Sequence, residues 1–557
     1  MTTTSESAVD ARSVGVGAAA WFALALAACF TAQCAWFVAT QSLTYDEPVH
    51  VIAGLDAWRA HRFTKWNDQP PLGRLLLTAP LLLSPPERWR LVDRGPSGAN
   101  YWSILVQPDA IALANRTRAV NVALGLLLAA LVWSTARRLF SAAAANVALA
   151  LFACSPALVA HFSLATVDGL ATLTCFAAAV AVMRWRRNPS WPLTVVVGLA
   201  LGLFLTAKFS APPLVLLALA IMAATDSRDG WPASMAKTFG AAIVAVAVVW
   251  GTYGWHVGPV TFRNGSLAGP YARDNTVIVP VRAAFTWTLP LPAPEFVTAL
   301  GGVVQHGVRG QPAYLLGDVK GSGGWRRYFP IVVLLKWPAT MWLLAIFGMV
   351  SLATGRGPGA RAFQASGSAR DVAVLMMFPA VFFASATATN LDIGDRYVLP
   401  VYPFLLLLCA AAWHAVHTRA AGRALIVAMV LCQAVDVARY APDDLSYFNA
   451  WVRPESSYTL LSDSNLDWGQ GLLALAKYER AHPTTSIWLA YFGGVDASSY
   501  GIRARALGEQ DRVHGTVVVS ATHLSGQYLR DPAAYHWLFA HPRTAILNHT
   551  LHVFEVP

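Results

Sequence analysis

Charge is what this sequence has least of. Asp, Glu, Lys and Arg together make up 13% of its 557 residues, against roughly a quarter in an ordinary soluble domain. So few charges could not cover a soluble surface of this size, which excludes a soluble globular enzyme. Paired cysteines are also missing. Cys29, Cys34, Cys154, Cys175, Cys409 and Cys432 all lie in apolar runs without a Cys-x-x-Cys pair, so neither a disulfide framework nor a zinc site is implied. No Gly-rich phosphate motif marks a nucleotide site, and no basic stretch interleaved with aromatics marks a nucleic-acid surface. No nucleotide or redox cofactor and no nucleic-acid partner is expected. Internal repeats and paired broken helices, the usual signs of a transporter, are not seen.

What the chain has instead is apolar length: 56% of it is hydrophobic. A bilayer-spanning helix needs about 20 apolar residues. On that measure the sequence predicts a polytopic α-helical membrane protein with about eleven spans. They fall near 15–39, 118–136, 142–160, 163–183, 191–207, 210–225, 238–255, 329–352, 371–389, 397–413 and 422–438. The first run continues past Cys29 to Val38, longer than a signal peptide's apolar region, and reads as an uncleaved helix. Alternate short loops carry Arg137 and Arg138; Arg184, Arg186 and Arg187; Arg228 and Lys237; Arg356, Arg361 and Arg370; Arg419 and Arg423. The positive-inside rule assigns these loops, and the N-terminus, to the cytoplasm. The net charge of +11 fits topology and lipid-headgroup contact. A membrane domain of residues 1–439, with outer loops 41–117 and 256–328, then precedes an extracytoplasmic soluble α/β domain of residues 440–557.

Polar residues gather at the outer ends of these helices: Asp46, Glu47, His50, Asp68, Asp168, Lys208, His256 and Arg396. Ionisable groups near hydrocarbon are costly and usually kept for function, although any one of them could snorkel to water. Thr44-Tyr45-Asp46-Glu47-Pro48-Val49-His50 follows the first span and opens what reads as an amphipathic helix lying on the membrane. Pro48 suits its first turn, and the two acids suit its dipole. Trp66-Asn67-Asp68-Gln69-Pro70-Pro71-Leu72-Gly73-Arg74 opens a second such helix, continuing to Leu83.

These two segments resemble the GT-C glycosyltransferases, in the branch of the protein O-mannosyltransferases and the aminoarabinose transferases of lipid A. Ala165-Thr166-Val167-Asp168-Gly169, Thr206-Ala207-Lys208-Phe209-Ser210 and Gly394-Asp395-Arg396-Tyr397-Val398-Leu399-Pro400 are similar to further motifs of that class. Ser462-Asp463-Ser464-Asn465-Leu466-Asp467-Trp468-Gly469-Gln470 is similar to a block in bacterial members. Two positions depart from the pattern: Gln69 stands where His is usual, and Arg74 where Lys is common.

The resemblance implies a glycosyltransferase of the bacterial inner (plasma) membrane. It would move a sugar from a polyprenyl-phosphate donor to a hydroxyl of a glycan, lipid or protein acceptor on the extracytoplasmic face, with inversion. A transporter or flippase for lipid-linked sugars is the alternative. Such chemistry needs a carboxylate to take the acceptor's proton, and Asp46 is the candidate, with Glu47 beside it as the second catalytic acid. Charge on the leaving phosphate needs a counterweight. Glu47 and Asp168 are candidate ligands for Mg²⁺ or Mn²⁺. Arg74, Lys208 and Arg396 are candidate phosphate contacts, Arg396 through a two-pronged grip, and Asp68 a further substrate contact. Asp168 could equally cap a helix, Lys208 could snorkel, and Arg396 could pair with Asp392 or Asp395. His50 and His256 read as structural or supporting.

The loop 256–328 is long enough to cover the donor site, with His306 and Tyr314 as contacts. In the tail, Tyr458–Leu461, Ser486–Phe492, Thr516–Ser520 and Leu551–Val556 read as strands and Gly469–Tyr478 as a helix. Asp463, Asn465 and Asp467 could bind sugar hydroxyls or a cation, or could serve as turn and cap residues.

Overall fold

The computed structural model describes residues 4–61, 63, 68–83, 108–225, 230–263, 266–268, 277–278, 286–355, 363, 368–483 and 486–557. Trp66, Asn67, Arg228, Arg356 and Arg361, named above, lie outside them. In chain order the helices longer than one turn are α1 (Thr4–Thr40), α2 (Glu47–Ala60), α3 (Pro71–Thr78), α4 (Pro108–Leu139), α5 (Ala142–Ala153), α6 (Pro156–Phe162), α7 (Asp168–Arg187), α8 (Trp191–Ala207), α9 (Pro212–Ala224) and α10 (Trp231–Thr252). There follow α11 (Pro294–Arg309), α12 (Tyr328–Lys336), α13 (Ala339–Thr354), α14 (Ser368–Ala388), α15 (Tyr402–Val416), α16 (Ala420–Ala438) and α17 (Leu472–Ala481).

Every stretch expected to be a span contains helix, but the count of eleven spans is not established. Among the described residues six helices are long and apolar enough to cross a bilayer, or eight if two bent pairs are each one span. The remaining expected spans are α7, α8 and α9. Of these α8 and α9 are short, with 17 and 13 residues. α7 opens on Asp168 and carries Arg184, Arg186 and Arg187 in its last turn. The bent pairs break where proline removes a backbone donor: α5 and α6 meet at 66° before Pro156, and α12 and α13 at 110° around Pro338. Large apolar side chains such as Trp21, Leu127, Phe239, Leu343 and Leu431 are left exposed, as a lipid-facing bundle requires.

α2 does not lie on a lipid surface as expected. Glu47 through Leu55, and Ala57, are all buried. Val49, Val51, Ile52, Ala53 and Leu55 make it apolar around its whole circumference, and a helix apolar all round buries itself. The 3-10 turn Ala79–Leu83 continues α3, as the sequence predicted.

Within 256–328, strands β1 (Val257–Arg263), β2 (Ser266–Ala268), β3 (Val277–Ile278) and β4 (Trp287–Pro292) form an antiparallel sheet in the order β3-β2-β1-β4. A hairpin follows, β5 (Ala313–Leu315) with β6 (Asp318–Lys320). The tail holds β7 (Ile487–Ala490), β8 (Arg505–Ala506), β9 (Gly515–Ser520), β10 (Arg543–Leu547) and β11 (Leu551–Val556), in the order β10-β11-β9-β7-β8. β7 runs parallel to β8 and β9, and β11 antiparallel to its neighbours. The expected strand Tyr458–Leu461 is instead a 3-10 turn over Pro454–Thr459. There the hydroxyls of Ser457 and Thr459 donate to the carbonyls of Pro454 and Ser456, at 2.8 and 2.7 Å. Such local bonds compete with a strand ladder.

The block 462–470 stitches the tail to the bundle. Ser42 N–H donates to Gln470 O (3.0 Å) and Tyr45 N–H to Trp468 O (2.8 Å). Asp395 N–H donates to Asn465 Oδ1 (3.0 Å), and Asn465 Nδ2 to the Tyr328 hydroxyl (2.9 Å). Buried Lys336, at the α12 break, donates to the carbonyls of Leu445 (2.9 Å) and Asn465 (2.5 Å). The residues after α1, the turn before α15 and the tail are thereby held together.

Candidate active site

A cavity of about 650 Å³ opens where these segments meet, and its wall includes Asp46, Asp68, Asp168, Lys208, His306 and Arg396. Five of the six come from chain turns that end or begin helices. Asp46 is the residue before α2; its side chain makes no cap bond and reaches Arg396, whose Nη1 donates to Oδ2 at 2.7 Å. Arg396 sits at the start of the 3-10 turn Asp395–Val401. Its Nε donates to its own loop, to Ile393 O at 3.1 Å, and its guanidinium lies 4.1 Å from the Trp468 ring centroid. The alternative partners are occupied elsewhere: Asp395 faces His161 (3.4 Å) and Asp392 accepts from Trp325 N–H (2.8 Å). The turn needs Gly394, at φ +93°, because a Cβ there would stand 2.4 Å from Ser464 Oγ.

Asp168 opens α7 without capping it; its carboxylate accepts from the Lys208 ammonium. Lys208 ends α8 in extended conformation and lies 5.1 Å from the Tyr397 ring centroid. Both are buried, so Lys208 does not snorkel to water. Gly73 explains how α3 comes so near: a Cβ on it would be 2.8 Å from Cγ1 of Val167, the residue before Asp168.

Arg74 stands one layer behind the wall. Its Nε donates to His50 Nδ1 (3.2 Å) and its Nη2 to Asp68 Oδ1 (2.9 Å). That bond makes Nδ1 the acceptor and leaves the ring proton on Nε2. Burial, with the Arg74 charge beside it, pushes His50 down to about 3, so His50 lines the cavity as a neutral imidazole. Asp68 is more than half exposed, and His306, on α11, is exposed too.

Besides Arg74, which was expected to contact phosphate, two more expected site residues are absent from the wall. Tyr314 is buried in β5, as are both its strand neighbours, and is not among the cavity-lining residues. Glu47 is not in the wall either. Its carboxylate accepts from Arg118 Nε (2.7 Å) and Nη2 (2.8 Å), from Thr44 N–H (2.7 Å) and hydroxyl (3.1 Å), and from Ala165 N–H (2.8 Å). With its lone pairs committed, Glu47 is no companion to Asp168 around a cation. Among the described residues, no group of three or more His, Cys, Asp or Glu side chains is placed to hold a metal ion. In the wall, Asp168 faces Lys208 and Asp46 faces Arg396.

Sequence reasoning missed Arg118, although an Arg at the start of an apolar run is a signal in itself. It also missed the aromatic share of the wall: Tyr45, Trp468, Phe492 and Tyr528. Nothing in the local pattern links residues so far apart. Asp463 lines the cavity too. Burial pushes its carboxyl up, against the pull of Arg396, and Tyr528 hydroxyl donates to its Oδ2 at 2.6 Å. Asp467 stays behind as turn chemistry, accepting from Thr522 N–H (3.2 Å) and Gly469 N–H (3.2 Å).

Residues 114–255 match the family model of the dolichyl-phosphate-mannose-protein mannosyltransferases. That stretch carries Arg118, Asp168 and Lys208 but neither Asp46 nor Arg396. The chain superimposes on the S. cerevisiae protein O-mannosyltransferase Pmt1-Pmt2 complex bound to the sugar donor, with a TM-score of 0.50 at 12% identity, over 76% of this chain and 90% of that one. Against ArnT from Cupriavidus metallidurans, solved bound to undecaprenyl phosphate, the TM-score is 0.46 at 13% identity, over 97% and 98% of the two chains. No curated protein matches the sequence. The fold is the GT-C membrane fold anticipated from the motifs.

Proposed function

We propose that the chain is a glycosyltransferase that takes a sugar from a polyprenyl-phosphate carrier and passes it to an acceptor hydroxyl at the extracytoplasmic face of a bacterial inner membrane. One observation carries the reading: Asp46, Asp168, Lys208 and Arg396, from four separate helix ends, converge on one cavity at the edge of an apolar bundle. The matched family, and the sugar donor bound in the Pmt1-Pmt2 complex that shares the fold, support it.

In the proposed step the anomeric carbon–oxygen bond to phosphate breaks, and the phosphate keeps the electron pair. The acceptor oxygen bonds to the opposite face of that carbon, inverting it, and its proton passes to Asp46. A hydroxyl is a weak nucleophile, so the base must sit beside it. Lys208 and Arg396 offset the charge that grows on the phosphate, the first as a point charge and the second as a planar fork. Asp46 is tied to Arg396 before donor arrives. A phosphate that draws on Arg396 loosens that tie and frees the carboxylate for the acceptor. Donor binding thus readies the base.

The test uses purified protein and a labelled polyprenyl-phosphate sugar. Polyprenyl phosphate is expected to be released only when acceptor is present. Asp46→Asn should end turnover while leaving folding and donor binding nearly intact; full activity in that variant removes Asp46 as the base. The same assay with a chelator tests the cation: an unchanged rate assigns charge neutralisation to Lys208 and Arg396.

A further inference from the structure

The wall formed by the tail is built differently from the wall formed by the bundle. Its conspicuous pair is Asp463 and Tyr528, both at positive φ, +56° and +68°. Left-handed backbone is uncommon for non-glycine residues and rare for a ring as bulky as tyrosine. Such conformations persist where the surroundings enforce them and gather at functional sites. Here the two residues face each other across the 2.6 Å bond from the Tyr528 hydroxyl to Asp463. Tyr528 is 40% exposed although it lines the cavity. One of its faces lies parallel to Phe492, 5.4 Å away at 1°, and Phe492 lies parallel to Tyr45, 5.3 Å away at 8°. Tyr45 is the neighbour of Asp46, so a ledge of parallel rings runs from Asp463 to Asp46.

A pyranose or furanose ring has two kinds of surface. Its hydroxyls want charged acceptors, and its C–H face, made slightly positive by the ring oxygens, wants the electron-rich face of an aromatic ring. A buried carboxylate beside an exposed tyrosine ring offers both. We infer that Asp463 and Tyr528 form the acceptor subsite, and that the acceptor is a saccharide whose ring stacks on Tyr528 while its hydroxyls bond Asp463. The inference rests on the glycosyltransferase reading and names its acceptor class. Lys208 and Arg396 serve the phosphate on the bundle side; the acceptor enters along the ledge and presents one hydroxyl to Asp46.

Saturation-transfer NMR on the full chain in lipid nanodiscs tests this. The probes are short neutral gluco-, manno- and arabino-oligosaccharides, and a Ser/Thr-rich peptide of similar mass, each with polyprenyl phosphate present. Saccharide C–H protons are expected to receive saturation. The affinity should fall about tenfold in Tyr528→Gly and measurably in Asp463→Asn. Glycine and asparagine accept these backbone angles, so thermal stability should not fall in step, as it would for a purely structural role. Tyr528→Phe, which keeps the ring, should retain most of the binding. The proposal is overturned if saccharide signals are the same in both variants, if only the peptide or no saccharide in the panel is saturated, or if sugar-loaded donor displaces the saccharide. Failure of the wild-type protein to bind polyprenyl phosphate would instead strike at the glycosyltransferase reading, since that binding is measured separately.

Discussion

Asp46 and Glu47 are adjacent acids with opposite destinies, and replacing Glu47 by Gln separates chemistry from architecture. The Glu47 carboxylate is 1% exposed, as is Arg118, and accepts five hydrogen bonds from Arg118, Thr44 and Ala165. Arg118 also donates to the carbonyls of Gln41 (2.9 Å) and Ser42 (2.8 Å). The pair thus ties the end of α1, helix α4 and the turn before α7, the segments that carry Asp46 and Asp168. Glutamine puts an amide donor against the Arg118 guanidinium and two backbone N–H groups, all donors, and leaves Arg118 charged and buried. Breaking one partner of a buried pair costs about 3–5 kcal/mol, a large share of ordinary folding stability. Asp46→Asn, at a carboxylate 29% exposed, loses one charge-assisted bond worth about 1.5–3 kcal/mol at most. In thermal unfolding monitored in nanodiscs, Glu47→Gln should therefore melt well below Asp46→Asn. The double variant Glu47→Gln/Arg118→Met should recover part of the loss, because no charge is stranded. A Glu47→Gln protein that melts like wild type, loses turnover, and regains it with added Mg²⁺ or Mn²⁺ would refute this reasoning and return Glu47 to the chemistry.

Three further outcomes are expected. His50 is held neutral, so the unfolded chain binds its proton first as pH falls. The stability tied to neutral His50 is full above about 6.5 and drains away toward about 3, at up to ~1.4 kcal/mol per pH unit. His50→Gln, whose carbonyl can still accept from Arg74, should flatten that part of a stability–pH curve. Gly73→Ala would gain helix propensity of about 1 kcal/mol yet meets Val167 at 2.8 Å. It should destabilise by about 1–3 kcal/mol and raise donor KM by displacing Asp168, with Val167→Ala restoring both. Lys208→Met strands a buried carboxylate on Asp168 and should both lower the melting temperature and raise donor KM. Adding Asp168→Asn should mend the melting temperature but not KM, which two-variable kinetics can separate.

The sequence was most legible where one physical rule acts locally. Apolar length marked every bundle helix, and α8 begins and ends where its pattern predicted, at Trp191 and Ala207. Strand alternation marked β7, β9 and β11. Helix-end position, joined to the family likeness, singled out Asp46, Asp168, Lys208 and Arg396. Rules failed where a residue's meaning depends on what packs against it. Glu47 shares its neighbour's chemistry and helix end, yet one peptide step rotates its side chain toward Arg118. Asp463 sits in a run of polar residues that any turn would accept, and only tertiary contact sets it apart from Asp467. α2 reads as a surface helix until α3 and α4 close over it.

The pairing of Lys208 with Asp168 and of Arg396 with Asp46 also says where donor affinity must come from. A buried cation without an anion is costly, so a carboxylate holds each in place. An arriving phosphate does not fill an empty positive pocket. It exchanges one anion for another, and the number of charge-assisted bonds hardly changes. With Asp68 and Asp463 also in the wall, four carboxylates share it with two cations, and the phosphate headgroup alone gains little. The surplus must then come from burying the isoprenoid chain, at roughly 0.8 kcal/mol per methylene. On the proposed reading a water-soluble sugar phosphate, which would meet the same carboxylates without burying an isoprenoid chain, is expected to bind far more weakly than the lipid-linked donor, and equal affinity in a competition assay would refute this account.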